Sequence, residues 1–233
     1  MIEPISPFVT ERRAFRDRDE AADLLAELLR EPAGAKALVL AIARGAVPMG
    51  ARIARRLAAD FDVLLVRKLG APGHPEFALG AVDEEGVCTF TPGFEHLRSS
   101  GWLERELACQ RARIAGRRAL YGSVGAAAAI EGRTVIVVDD GLATGATMAA
   151  ALGWARRRRP GRLIGAVPVG SIDAIDWAGA HADQMICPWR PAAFGAVSLC
   201  YRHFEQVSDE AVVRCLGDWR QPVPQAPLSN SRM

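Results

Sequence analysis

Apolar residues along the chain fall into short blocks with two rhythms. One rhythm is helical: Ala22, Leu24, Leu25, Leu28 and Leu29 recur on one side of a turn, behind Asp17 or Asp19 as an N-cap. Pro32 and Gly34 then stop that helix. The other rhythm is continuous: 37–43, 62–66, 135–138, 163–169 and 184–187 are short apolar runs, the pattern of strands buried on both faces of a parallel sheet. Helical stretches at 49–58, 148–156, 172–180 (capped by Ser171) and 209–216 alternate with them. Segments 77–82 and 87–91 flank Asp83-Glu84-Glu85-Gly86 and read as a hairpin. A longer helix, 102–121, carries Leu103, Leu107, Ile114 and Tyr121 near heptad spacing. Its Arg111, Arg113, Arg117 and Arg118 point outward. With Glu104 and Glu106 interleaved, that face reads as solvated or subunit-contacting, which keeps a homodimer open.

Strands alternating with helices predict an α/β fold: an open, mainly parallel sheet with helices on both faces, a β-hairpin beside it and a small hood built from the chain ends. One domain spans 1–217, with 102–121 as an inserted helix. Residues 218–233, with three prolines and polar ends, read as a disordered tail.

Bulk properties narrow the function classes. A chain of 233 residues suits one such domain, and half apolar with a quarter charged is ordinary for a globular protein. A net charge of +2 asks for neither nucleic acid nor membrane. Five cysteines without a C-x-x-C spacing argue against a disulfide frame or a zinc site, and no apolar leader or membrane-length run is present, so a cytoplasmic location is expected. Only two lysines, Lys36 and Lys68, stand among 29 basic side chains, which draws attention to Lys68.

The chemistry concentrates where Val135-Ile136-Val137-Val138 runs into Asp139-Asp140-Gly141-Leu142-Ala143-Thr144-Gly145-Ala146-Thr147-Met148. A strand, a loop of small residues and a helix start form an anion cradle, because free backbone N–H groups at the helix N-terminus point at the ligand. Ala143, Thr144, Gly145, Ala146 and Thr147 are the candidate phosphate holders. A phosphate cradle gains nothing from two adjacent carboxylates, so Asp139 and Asp140 should face neutral hydroxyls or a metal ion. A ribose 5-phosphate satisfies both demands. The plainer alternative is that the acids only cap the helix. A second strand–loop–helix presents Arg44 and Gly45, able to hold a diphosphate through backbone N–H groups and a guanidinium. Arg67 and Lys68 follow a third strand and suit the same anion, or form a solvated pair.

The central stretch resembles the phosphoribosyl-pyrophosphate (PRPP) motif of type I phosphoribosyltransferases, most nearly its adenine-type version. Arg44-Gly45 resembles the family's pyrophosphate loop, and Arg67-Lys68 the pair after the corresponding strand. With Leu69-Gly70-Ala71-Pro72-Gly73 and Phe194 to Val197, the chain is also similar to a branch of that family without an assigned substrate. The resemblance implies transfer of the 5-phosphoribosyl group of PRPP to a nitrogenous heterocycle, with release of pyrophosphate. It implies Asp139, Asp140, Arg67 and Lys68 as catalytic, Arg44, Gly45, Arg67 and Lys68 on pyrophosphate, and Mg²⁺ bound mainly through PRPP oxygens. Asp139 and Asp140 would reach that ion only through water or ribose hydroxyls. It makes the hairpin region a mobile flap bearing His74 and Glu76, and places the acceptor near Pro188 to Val197, where Trp189 and Phe194 could sandwich a ring. Both aromatics equally suit core packing.

Two departures from the family pattern leave the acceptor open. Ala143 stands where hypoxanthine-type enzymes carry an acid, and Leu79-Gly80-Ala81 lacks the flap Glu of adenine-type enzymes. Competing readings are a PRPP-binding regulator without turnover, and a PRPP or nucleotide phosphohydrolase using the same cradle.

Overall fold

The computed structural model describes residues 14–34, 36–71, 74–99, 101–122 and 130–220. In chain order the main elements are α1 (Arg18–Ala33), β1 (Leu38–Ile42), α2 (Val47–Leu57), β2 (Asp60–Leu64), β3 (Arg67–Ala71), β4 (His74–Val82), β5 (Cys88–Phe90) and α3 (Gly101–Tyr121). They continue with β6 (Thr134–Val138), α4 (Ala146–Arg156), β7 (Arg162–Ala166), α5 (Ile172–Gly179), β8 (Gln184–Ile186) and α6 (Asp209–Arg220). Asp17 caps α1 by accepting from the Glu20 N–H, and Ser171 caps α5 by accepting from Ala174.

Five strands form one parallel sheet in the order β2-β1-β6-β7-β8. Alternation along each strand divides two hydrophobic layers. Val39 and Ala41 of β1, with Ile136 and Val138 of β6, face a core that includes α1, α2 and α6. Leu38, Leu40 and Ile42, with Val135 and Val137, face a second core built with α4 and α5. Both faces are therefore covered, which explains why the strands read as unbroken apolar runs rather than alternating ones. The chain ends meet in the hood: Phe15 bridges Tyr201, and Arg202 N–H bonds Phe15 O at 2.8 Å.

Three details differ from expectation. β2 closes at Leu64, paired with Ile42, so Arg67 and Lys68 open β3 of a separate antiparallel sheet, β3-β4-β5, instead of ending a strand of the main sheet. Leu65 and Val66 make the crossing, and the Leu65 N–H is taken up by the Glu84 carboxylate at 2.8 Å. The turn between β4 and β5 is pinned at both sides. Asp83, only 1% exposed, accepts from the N–H groups of Glu85 and Val87 and pairs with Arg157, while Glu85 pairs with Arg157 and Arg158 past the end of α4. These arginines thus fasten the hairpin turn as well as facing the α4 carboxyl end. Finally, α6 runs to Arg220, past Gly217, because Trp219 packs edge-on to Phe61 at 5.2 Å under Arg55. Residues 221–233 of the expected tail lie outside the described residues.

Candidate functional site

Carboxyl ends of parallel strands converge on a cavity of about 1000 Å³. Its floor is the β6–α4 connection. α4 starts at Ala146 behind Gly145, and no side chain caps it, so its first N–H groups are left for a ligand. Gly145 has φ +79°, and a Cβ there would meet the Ala174 carbonyl oxygen at 2.8 Å, so the turn needs glycine twice over. The loop's outer side is fixed by Leu142 N–H on Val169 O and by the Ser171 hydroxyl donating to Ala143 O at 3.0 Å. Ala143, Thr144, Gly145 and Thr147 all line the cavity, whereas Ala146 is buried as the first residue of the helix.

Asp139 and Asp140 stand at the head of this loop. Asp139 accepts from the Asp140 N–H at 2.9 Å and from the Thr147 hydroxyl at 3.4 Å. Burial first, and then the neighbouring Asp140 charge, push the Asp139 carboxyl above the ordinary carboxylate range, with Lys68 pulling the other way. Asp140 is clamped. Its Oδ2 accepts from Arg18 Nε at 3.0 Å and Nη2 at 2.8 Å, and the Arg18 guanidinium lies 3.8 Å over the Phe204 ring and donates to Glu205 O. Tyr201 donates its hydroxyl to Asp140 O at 2.6 Å. Beside the acids, a Cβ on Gly45 would stand 2.1 Å from the Asp140 Oδ2, so a larger residue there would push that carboxylate out of its place on Arg18. The Ala43–Arg44 peptide is cis.

The cations of the opposite side are spread over three elements. Arg44 reaches Asp209 at 3.5 Å, a carboxylate also held by Arg117 at 3.2 Å and by the Tyr121 hydroxyl. Arg67 donates through Nε to Gln110 Oε1 at 3.0 Å, and Gln110 in turn donates to Glu106 at 2.7 Å. Burial lowers the affinity of Arg67 for its proton, and the like charges of Arg117, Arg113 and Arg44 add to that. Lys68 is exposed at the rim.

The fold therefore gathers Asp139, Asp140, Arg44, Gly45, Arg67, Lys68 and most of the small-residue loop around one cavity. It does not bring in Trp189 or Phe194. Trp189 packs edge-on to Phe15 at 5.9 Å, bridging Val169, and Phe194 sits against the same core. The aromatics that do line the cavity are Trp102 and Phe204. His74 and Glu76 belong to β4, and their side chains lie outside the described residues. Sequence reading missed Arg18, Trp102, Glu106, Gln110, Arg113 and Phe204. On α3 a signal was present, since 102, 106, 110 and 113 fall on one helical face. Arg18 and Phe204 meet only through the meeting of the chain ends, which no local pattern announces. The α3 arginines read as a solvated or subunit-contacting face are instead used within the chain: Arg118 pairs with Glu84, Arg117 with Asp209, Arg111 donates to Gly86 O, and Arg113 lines the cavity.

Among the described residues, no three His, Cys, Asp or Glu side chains converge on a metal position. Asp139 and Asp140 would meet magnesium through its water shell, the ion taking its other ligands from substrate phosphate oxygens. No helix among the described residues is long and apolar enough to cross a membrane.

Two provisionally named phosphoribosyl transferases of Mycobacterium tuberculosis, from strains CDC 1551 and H37Rv, are each 37% identical over 209 residues, or 88% of this chain. The chain spans about half the length of these relatives, 46% in each case. The crystal structure of TT1426 from Thermus thermophilus is 43% identical and superposes with a TM-score of 0.76, covering 89% of this chain and 99% of that one. The family model described as the phosphoribosyl transferase domain matches residues 16–185, so the chain belongs to the phosphoribosyl transferase domain family.

Proposed function

We propose that the protein transfers the 5-phosphoribosyl group of PRPP to a ring nitrogen of a nucleobase or related heterocycle, releasing pyrophosphate. One observation carries this reading: a single cavity holds an uncapped helix N-terminus, an acid pair and a set of cations, the groups that a phosphate, a ribose and a diphosphate would meet. Backbone N–H groups from Ala143 to Thr147, with the hydroxyls of Thr144 and Thr147, take the 5′-phosphate. Asp139 and Asp140 receive the vicinal ribose hydroxyls and lie near the positive charge that develops at C1′. Arg44, Gly45, Arg67 and Lys68 take the departing pyrophosphate, and bound Mg²⁺ adds charge neutralisation there. The acceptor nitrogen displaces pyrophosphate at C1′ with inversion, so the protein's task is positioning and electrostatics, without a covalent enzyme intermediate. Trp189 and Phe194 are not assigned to the acceptor: the rings at the cavity are Trp102 and Phe204, and Phe204 is already covered by Arg18 and Tyr201.

The test is incubation of the purified protein with PRPP, Mg²⁺ and a panel of heterocyclic bases, following pyrophosphate and nucleotide by mass. Base-dependent pyrophosphate with a matching nucleotide is the expected result. Pyrophosphate without nucleotide identifies a hydrolase instead, and binding without turnover across the panel identifies a regulator.

A further inference from the structure

We infer that α3 forms a further wall of the leaving-group subsite, in which Arg113 contacts the diphosphate directly and Gln110 is a positioning residue that holds Arg67 toward it. The inference rests on the proposed reading of the cavity as a PRPP site, and deepens it.

Three independent observations meet here. The first is placement: Trp102, Glu106, Gln110 and Arg113 line the cavity together with Arg44, Arg67 and Lys68, on the face of α3 that spacing brings into one stripe. The second is the state of Gln110, which is only 5% exposed although polar. Both ends of its amide are engaged, the oxygen by Arg67 at 3.0 Å and the nitrogen by Glu106 at 2.7 Å. An amide spanning an acid and a guanidinium fixes the direction of both, and it fixes Arg67 without neutralising it. The third is charge. Arg113 makes no hydrogen bond or ion pair among the described residues, while Arg44 and Arg117 share the single carboxylate of Asp209. Arg67 feels Arg117, Arg113 and Arg44 as like charges. Arg18, Arg44, Arg67, Lys68 and Arg113 line the cavity against Glu106, Asp139 and Asp140, an excess of positive charge that an added anion would relieve. A diphosphate, with several charges on neighbouring oxygens, fits that demand better than a single phosphate would.

α3 can carry this task because its carboxyl-terminal turn is docked. Arg118 pairs with Glu84 and donates to Val63 O at 2.9 Å, and Tyr121 bonds Asp209. The helix is held against both β2 and α6, and so presents its polar stripe to the cavity at a fixed height.

The test uses the full chain and two probes, inorganic pyrophosphate with Mg²⁺ and ribose 5-phosphate, each titrated calorimetrically. Arg113→Ala is expected to weaken pyrophosphate about tenfold, the size of one charge-assisted contact, while ribose 5-phosphate affinity stays within about twofold. Arg113→Lys should recover part of the loss. Gln110→Met should weaken pyrophosphate by a smaller factor, about threefold, with ribose 5-phosphate again serving as the check that the cradle is intact. Unchanged pyrophosphate affinity in Arg113→Ala overturns the inference, and so does an equal loss of both probes. A wild-type protein that binds ribose 5-phosphate but not pyrophosphate overturns the α3 subsite and leaves the cradle standing. A wild-type protein that binds neither removes the PRPP reading itself.

Discussion

The floor of the cavity, from Asp139 to Thr147, is one unbroken stretch of chain, whereas the opposite wall draws Arg18 from α1, Arg67 from β3, Glu106 to Arg113 from α3 and Phe204 from the hood. The floor works mostly through backbone. A strand end, a positive-φ glycine and uncapped N–H groups make its anion site, and none of these depends on which side chains stand nearby. The wall works through side chains that reach one another across long stretches of sequence, as Arg18 does to Asp140 and Arg67 to Gln110. Its geometry is therefore only as good as the anchors behind it. Under the proposed reading, such a site keeps its phosphate cradle constant while the wall varies around the rest of the substrate.

The sharpest break between the two comes from the acid pair. Asp139→Asn and Asp140→Asn should each lower turnover by roughly 10²–10³-fold, the usual effect of removing a preorganised electrostatic group. Asp139→Asn should leave the melting temperature unchanged or raise it, since it removes a carboxylate that burial and Asp140 both disfavour. Steady-state rates beside thermal melts would check this, and unchanged turnover would remove the ribose role.

A smaller effect is expected from the anchors. Arg118→Ala leaves Glu84 and the Val63 carbonyl without their guanidinium and should cost about 1–2 kcal/mol in urea unfolding. It should also weaken pyrophosphate through the loosened α3 while ribose 5-phosphate binds as before. Equal losses for the two probes would mean that floor and wall are not separable.

Stability against pH supplies a further check. The Asp139 proton is held more tightly in the folded protein than in the unfolded chain, where the ordinary value is 3.8. Its contribution is therefore fully present below that value and is lost as the pH rises through the higher folded value. In Asp139→Asn this part of the slope should vanish. Urea midpoints of both proteins between pH 4 and 8 would measure it, and parallel curves would contradict the assignment.

Much of the floor was legible because its determinants are local. Four β-branched or aliphatic residues in a row, an acid pair and a Thr-Gly-x-Thr run specify strand, loop and helix within one short stretch. The parallel sheet was legible for a similar reason: strands buried on both faces must be apolar throughout. Arg67 and Lys68 line the same cavity as the acid pair but open β3 rather than end β2, since nothing local marks Leu65-Val66 as a crossing; Glu84, in a turn of the other sheet, decides it. Trp189 and Phe194 show the converse. An aromatic near a strand's carboxyl end suits a ligand or a core equally well, and Phe15, from the other end of the chain, claims Trp189 for packing.

By itself, then, the sequence determined the alternating fold, the anion cradle and the position of the acid pair, because short-range spacing and backbone chemistry suffice for them. Only the tertiary structure decided what faces that cradle. Arg18 over Phe204, Gln110 beside Arg67 and the hairpin turn fastened to α4 are contacts between residues far apart in the chain, and their partners are chosen by packing geometry that no local pattern encodes.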